Sequence, residues 1–385
     1  MSTARPSRIG FDATAALTQG GGIGRYTREL LAALVETDSP HHYRIFSARA
    51  PQPLPVRNPI PQGPNLSFRQ TLLSPRWLYR LWYRIRLPIP VQLFTGKIDL
   101  FHSPDFVLPP VLGDVPTILT VHDLSFSLYP NTFTPALVSY LNRVVPWSVK
   151  RASHVLADSE STRNDLIRLY KTRAEKVTVL YSGVHDCFKP VTDEVLLARM
   201  RHKYSLGDEP YIFTVSTLQP RKNHQMLIRA FRPVANNTSY NLIIAGGKGW
   251  LYEEMMSEVE RLDLTGRVRF IGFVDDDDLP VLYSEASIFV FPSLYEGFGL
   301  PLLEAMGCGT PVIASNASSL PEVAGDAALL LEPTNETAWT SSMLRLTDDV
   351  GLRVRLVAAG FRRVRRFQWK DSARQLLEVY QQLLG

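Results

Sequence analysis

Short runs of β-branched and aliphatic residues recur along this chain, each followed by a stretch of helical spacing, and few folds accommodate that alternation. A strand apolar on both faces must be covered by helices on both sides, so the pattern predicts an α/β architecture with parallel sheets. In the first half the predicted strands are Ile9–Asp12, Tyr43–Ser47, Leu100–His102, Thr117–His122, Val155–Asp158 and Val177–Tyr181. The chain turns more polar from Lys189 to Asp208, which predicts a crossing between domains that contains a short helix. A second series follows: Tyr211–Ser216, Leu242–Gly246, Val268–Phe273, Ile288–Phe291, Val312–Ser315 and Leu329–Leu331. Helices run from Glu336 onward. At 385 residues the chain is too long for one ordinary core, and two domains are expected over 1–185 and 186–367, with 368–385 a separate terminal helix. No repeat at a solenoid period interrupts this order.

Composition narrows the class. With 45% hydrophobic and 21% charged residues the chain is globular rather than disordered. Cys187 and Cys308 are too few for a disulfide framework or a zinc site, which suits a reducing cytoplasm. The opening MSTARPSRIGFDA has no apolar run, so no signal peptide is expected. No stretch approaches the roughly 18–20 apolar residues that span a bilayer. The formal charge of +5 and the pI near 9.1 imply an anionic partner. Nucleotide phosphates, acidic lipid and nucleic acid all satisfy that requirement.

The first predicted strand leads into Gly20, Gly21, Gly22, Ile23 and Gly24, with a helix expected over Arg25–Val35. Such a loop can set backbone N–H groups against a phosphate at a helix N-terminus; a flexible turn without a ligand has the same sequence. The dinucleotide fingerprint G-x-G-x-x-G does not fit, because counting from Gly20 puts Arg25 at the third glycine, and the next strand has no acidic terminus for a ribose. A nicotinamide dehydrogenase is therefore disfavoured.

Stronger signals lie in the second half. The run Ser216 to His224, STLQPRKNH, follows a predicted strand, and Asn223 is the expected N-cap of the next helix. Arg221 and Lys222 then fall at the carboxyl end of a strand, where open α/β sheets bind ligands, and two cations there suit a diphosphate. Taken alone, they would read as solvated surface charges. The run Ser293 to Glu304, SLYEGFGLPLLE, changes that reading. A glycine-bearing loop leads into a helix with Pro301 near its start, Glu296 in the loop and Glu304 about one turn inside. The loop amides and the helix N-terminus favour an anion. Two carboxylates beside an anion site make sense as acceptors from neutral hydroxyls, one acid on a ribose and the other on a hexose.

Glu296 to Glu304 resembles the E-x7-E pattern of the retaining family 4 glycosyltransferases of GT-B fold. The resemblance extends through IGFDA and GGGIGRYTRELL, FHSPDFVLP, TVHDLSFSLYP, LADSESTRNDL, VSTLQPRKN, FPSLYEGFGLPLLEAMGCGTPVIAS and SLPEVAGDAALL, most of the chain apart from about residues 48–97. The TVHDLSF and QPRKN segments are most similar to the branch that acts on surface polysaccharides, often with mannose donors. The resemblance implies two Rossmann-like domains with parallel sheets facing a central cleft, and a last helix, about Trp369 to Leu384, crossing back to the first domain. It implies Glu304 on the donor ribose, Glu296 on hexose hydroxyls, and amides around Phe298, Gly299 and Leu300 on the diphosphate and sugar. Arg221 and Lys222 would neutralise the leaving diphosphate, the Gly22–Gly24 loop would close over it, and His122 would face the donor sugar near its 6-hydroxyl. Thr217 stands where many relatives carry a further arginine, which shifts the expected phosphate clamp toward Lys222. The implied reaction is retaining hexosyl transfer, from GDP-mannose first and UDP-glucose or another nucleotide sugar second, to a glycan or lipid-linked acceptor. No cofactor is expected.

Other residues admit plainer roles. His122 with Asp123 can form a general-base pair, and His102 is a further candidate, each against a satisfied polar group at a strand end. Asp275–Asp278 suits a solvated helix start better than a metal, and with no D-x-D after a strand no metal is expected. Residues 51–64 hold six prolines and are expected to form a loop. Residues 76–87, RWLYRLWYRIRL, interleave arginine with aromatic and aliphatic residues. They read as an amphipathic helix packed on the first domain, or as a basic aromatic face for a membrane or a lipid-linked acceptor. Nucleic acid is not an expected partner, since no recognition motif accompanies the stretch. The expected location is the cytoplasm, with peripheral contact at the inner face of the membrane the further expectation. A GT-B epimerase or phosphorylase and a catalytically silent carbohydrate binder compete with the transferase; intact Glu296, Glu304 and Lys222 stand against the silent binder.

Overall fold

The computed structural model describes residues 6–37, 39–50 and 60–385. Its strands are β1 (Arg8–Asp12), β2 (His42–Ser47), β3 (Leu66–Gln70), β4 (Leu100–Ser103), β5 (Thr117–Val121), β6 (His154–Ala157), β7 (Val177–Val179), β8 (Tyr211–Val215), β9 (Asn241–Ala245), β10 (Val268–Gly272), β11 (Ile288–Phe291), β12 (Val312–Ser315) and β13 (Ala328–Leu331). Each predicted strand is present within a residue or two of its expected bounds, and β3 is the addition. It sits at a sheet edge with β2 as its one neighbour, in register from Tyr43 with Leu66 to Ser47 with Gln70. None of its residues is fully buried, so it lacks the apolar signature of its neighbours. Of the proline-rich stretch, residues 51–59 lie outside the described residues.

All the pairings are parallel, in two sheets ordered β3-β2-β1-β4-β5-β6-β7 and β10-β9-β8-β11-β12-β13. Each is a doubly wound sheet whose order reverses beside its first strand, between β1 and β4 in one and between β8 and β11 in the other. Chains leave the two flanking strands in opposite directions there and open a crevice at the carboxyl edge. The chain divides into two compact units. The first comprises the described residues up to Leu124, Ser139–Gly183 and Gln368–Gly385; the second comprises Ser125–Val138 and Val184–Phe367.

In the second unit the inner strands β8, β9, β11 and β12 are buried on both faces but for Val215 at the end of β8, and alternate residues feed two cores. Phe213, Ile243, Phe289, Phe291 and Val312 point to one, and Ile212, Leu242, Ile244, Ile288, Val290 and Ile313 to the other. In the first unit the helix Gly22–Glu36 lays Tyr26, Leu30 and Leu34 against Ile9, Phe11 and Ile118. The helix Trp369–Leu384 joins that same core through Trp369, Ala373, Leu376 and Tyr380, spaced as one helical face. His102 is a strut of this packing. Its ring is fully buried, with Nδ1 2.9 Å from the Tyr380 hydroxyl and Nε2 3.3 Å from that of Thr120, and burial lowers its pKa to about 3. Among the described residues no helix is long and apolar enough to cross a membrane.

The glycine-rich segment departs from the expected loop. The helix begins at Gly22, with Gly21 as its N-cap, so Gly22 and Gly24 both lie in its first turn. A Cβ on Gly24 would fall 1.9 Å from the Gln19 carbonyl oxygen, where the chain leaves the helix Thr14–Thr18, whereas a Cβ on Gly22 would meet nothing within 4 Å. Gly24 is therefore required for packing whatever binds nearby. Gly24→Ala should lower stability by about 3 kcal/mol or prevent folding, while Gly22→Ala should be neutral or stabilising by up to about 1 kcal/mol. Thermal melts of the two variants check this, and equal effects would contradict it.

Candidate active site

The crevice between β8 and β11 gathers most of the residues singled out in the second half. The turn Pro220–Lys222 follows β8 and carries Arg221 and Lys222; the loop after β11 carries Glu296. Lys222 Nζ donates to Glu296 Oε1 at 2.5 Å, and Arg221 Nη1 donates to Glu296 Oε2 at 3.2 Å and to the Tyr295 carbonyl. The three side chains are about nine-tenths buried. Burial by itself would raise the Glu296 pKa, but the charges of Lys222 and Arg221 and the hydrogen bond from Lys222 outweigh it and hold the carboxyl at about 2. Two cations and one carboxylate leave a net positive charge in a poorly solvated place. Such a charge attracts an anion far more strongly than the same charge in water.

Asn223 stands at the expected N-cap position of the following helix, but its side chain makes no capping hydrogen bond. It takes the left-handed conformation at φ 59°, and its side-chain amide donates instead to the carbonyls of Pro292 (3.1 Å) and Pro333 (2.8 Å), stitching the loop after β11 to the turn that bears the cations. Thr217 is exposed just beyond the end of β8.

The loop that carries Glu296 is held from below. The Glu296 backbone N–H donates to Ser318 Oγ at 2.7 Å, and the Ser319 hydroxyl reaches the carbonyls of Glu296 (3.0 Å) and Phe298 (2.9 Å). Gly299 has φ 107°, and a Cβ there would strike Leu320 at 2.7 Å. That turn aims the helix Leu300–Gly307, with Leu300 and Pro301 in its first turn. Glu304 is buried within it, and the phenol of buried Tyr283 donates to its Oε2 at 2.9 Å, fixing where the carboxylate points. Tyr283, Ser318 and Ser319 thus position the two acids. The E-x7-E spacing does not reveal them, although Ser319 opens the SLPEVAGDAALL segment.

In the first unit His122 lies just past the end of β5 at the carboxyl edge. Its Nδ1–H donates to Asp158 Oδ2 at 2.7 Å and its Nε2–H to the Pro104 carbonyl at 3.1 Å. The carboxylate on this ring is that of Asp158, beyond the end of β6, where sequence reading paired His122 with the adjacent Asp123. Burial opposes the imidazolium, but the Asp158 charge and hydrogen bond, the Asp105 charge and the Pro104 carbonyl together raise its pKa to about 9. Burial pulls Asp158 toward keeping its proton; the ionised pair prevails because both ring nitrogens face acceptors. His122 is thus a buried cation with both nitrogens engaged, rather than a free base. Asp278, in the acidic run, is engaged by Lys203 and by the Tyr204 hydroxyl at 2.6 Å.

The description "Glycosyltransferase Family 4" matches residues 20–186 and "Glycosyl transferases group 1" matches residues 198–363. The chain is 32% identical over 378 residues to O-antigen chain mannosyltransferase B of Escherichia coli, a match covering 94% of this chain and 96% of that one. The chain belongs to the family 4 glycosyltransferases. Its fold is GT-B: the sucrose-phosphate synthase of Thermosynechococcus elongatus superposes with TM-score 0.77 at 23% identity, covering 98% of this chain and 99% of that one. HepE of Anabaena, solved with UDP and glucose, superposes with TM-score 0.74 at 19% identity, covering 97% and 99%.

The charged pair in this glycosyltransferase makes a pH prediction. His122 has a folded pKa of about 9 against an ordinary 6.5, so its contribution to stability is complete below about pH 6.5 and is lost as pH rises through about 9. That contribution is at most about 3 kcal/mol. The melting temperature of the native protein should fall between neutral pH and pH 10, and His122→Gln should melt lower at neutral pH with a flatter profile. A variant with the native pH profile would show that the pair stays neutral.

Proposed function

We propose that this glycosyltransferase moves a hexose, mannose first, from a nucleoside diphosphate sugar to a hydroxyl of a glycan or lipid-linked acceptor, with retention of anomeric configuration and without a metal ion. The observation that carries the reading is the buried Arg221–Glu296–Lys222 cluster at the crevice between β8 and β11. A carboxylate has about four acceptor sites, so Glu296 can keep its cations and still accept hexose hydroxyls. The donor diphosphate shares Arg221 and Lys222 and meets the amides around Phe298, Gly299 and Leu300, while Glu304, oriented by Tyr283, accepts from the ribose. Thr217 flanks the phosphates where a further arginine is absent. In the first unit the helix Gly22–Glu36 presents its own N-terminal amides, a place suited to an anion, and Gly24 holds that turn in place.

As the bond from the anomeric carbon to the phosphate oxygen breaks, its electron pair moves onto the diphosphate, and Lys222, Arg221 and the helix dipole stabilise the growing charge. The acceptor oxygen attacks from the same face and its proton passes to the leaving phosphate. His122, as a cation, gives the carboxyl edge of the first unit's sheet a positive potential of its own. Mannose and a role in surface polysaccharide assembly are favoured by the likeness to the E. coli O-antigen enzyme. The likeness to HepE, solved with UDP and glucose, keeps UDP-glucose as the second donor.

The test is nucleoside diphosphate release from GDP-mannose and from UDP-glucose by the protein with acceptor-bearing membranes, in excess EDTA. Release should be faster from GDP-mannose and undiminished by EDTA, and the product anomer read by NMR should match the donor. Loss of activity restored by manganese or magnesium would require a metal site, and an inverted product would remove the retaining mechanism. Separately, Lys222→Ala should lower kcat on the order of 10²-fold while weakening donor binding less, with Lys222→Arg recovering part of the rate. Equal losses would make Lys222 a ground-state clamp, and no loss would end the phosphate assignment.

A further inference from the structure

The chain carries 42 cationic and 37 acidic residues, but they are not evenly spread. Between Asp38 and Asp99 there is no aspartate or glutamate, while nine cations occur: Arg44, Arg49, Arg57, Arg69, Arg76, Arg80, Arg84, Arg86 and Lys97. Taking those nine from 42 leaves 33 cations against 37 acids, so the remainder of the chain is net negative and this one stretch makes the protein basic. A charge segregated so sharply marks a surface for an anionic partner.

The structure shows what accompanies the charge. Beyond β3 a turn is tied to the end of β2 by hydrogen bonds from Thr71 N–H to the Ser47 carbonyl and from Arg49 N–H to the Leu73 carbonyl, so it emerges at the carboxyl edge of the first unit. The helix Pro75–Tyr79 follows and widens into a π-turn, Arg80–Arg84. This segment is anchored by Leu78, Trp82 and Tyr83, all buried, with the Trp82 indole N–H donating to the Ile89 carbonyl at 2.9 Å. Its other side is open: Leu72 is 90% exposed, Trp77 53% and Ile85 55%, joined by Phe68, Leu73 and Leu87. Arg69, Arg76, Arg80, Arg84 and Arg86 are exposed among them and form no ion pair among the described residues. The Arg80 guanidinium lies over the Trp77 ring at 5.0 Å.

We propose that residues 68–87 form a docking face for an anionic phospholipid bilayer. Lipid phosphates neutralise the arginines while Leu72, Trp77, Ile85 and Leu87 settle among the headgroups and upper acyl chains, leaving water as they do so. A nucleic acid would use the cations and an aromatic platform but has no use for Leu72, Ile85 and Leu87, and the Trp77 face is already taken by Arg80. A second copy of this face would bring like charges together. The inference goes beyond the transferase reading; that reading adds only that the bilayer would carry the acceptor.

Co-sedimentation with vesicles decides it, using phosphatidylcholine mixed with phosphatidylglycerol against phosphatidylcholine alone. At low salt the native protein should partition to the mixed vesicles at least about tenfold more strongly, and molar salt should remove most of that preference. The triple variant R76Q/R80Q/R84Q should lose about tenfold or more of the binding while keeping its melting temperature and its nucleoside diphosphate release from soluble GDP-mannose. The corresponding triple lysine variant should bind nearly as the native protein does, which guards against loss through misfolding. L72A/I85A should weaken the partition that remains in high salt. Native protein that ignores mixed vesicles at low salt, or a glutamine variant that binds as well as native, overturns the proposal. Tighter binding to a duplex DNA or single-stranded RNA fragment than to vesicles reassigns the face. Vesicle binding with no diphosphate release from any nucleotide sugar would leave the docking face standing and overturn the transferase reading instead.

Discussion

An inner strand of a doubly wound parallel sheet has no solvated face, and much of this molecule follows from that. Every residue of β5, β9, β11 and β12 is buried, so charge cannot be carried along those strands and has to gather where they end. Backbone groups at the carboxyl edge, the first turns of the following helices and the few polar side chains there become the chemistry. His122, Arg221, Lys222, Glu296 and the helix that bears Glu304 all sit just past a strand terminus.

The Glu296 cluster shows how such an edge tolerates charge. A lone carboxylate this deeply buried would hold its proton; beside Lys222 and Arg221 it is ionised down to about pH 2. The cations in turn are kept from collapsing onto solvent by the Tyr295 carbonyl and by Asn223, which ties the two loops together. The cluster is preorganised, with the reorganisation needed to gather like charges already met in folding. His122 with Asp158 repeats the device with the opposite member in excess of its usual pKa.

The fold was legible because parallel strands carry their own signal, an apolar run bounded by turn residues. β3 was not, since an edge strand with partly exposed residues has no such run. At the site, local spacing brought Arg221, Lys222 and Glu296 under suspicion, but not that they share one ion cluster. That depends on β8 and β11 being neighbours across 75 residues of chain. Partners chosen by sequence adjacency fared worst. Asp158, not Asp123, holds the Nδ1 of His122, and Asn223, though at the N-cap position, spends its side chain on bridging two loops. Gly24 read as part of a ligand loop, whereas the Gln19 carbonyl already dictates a glycine. Tyr283 gave no signal and Ser319 only its place at the head of the SLPEVAGDAALL segment, because a residue that orients another group carries no pattern of its own.

The helix Trp369–Leu384 completes the core of the first unit, yet a ribosome makes it after the whole of the second. Until it arrives, Tyr26, Leu30 and Leu34 have no cover on that side. At 5–20 residues per second the wait is on the order of ten to forty seconds. The unit begun first is therefore finished last. Throughout synthesis the nascent first unit displays an apolar stripe that is covered in the finished fold by a helix made last.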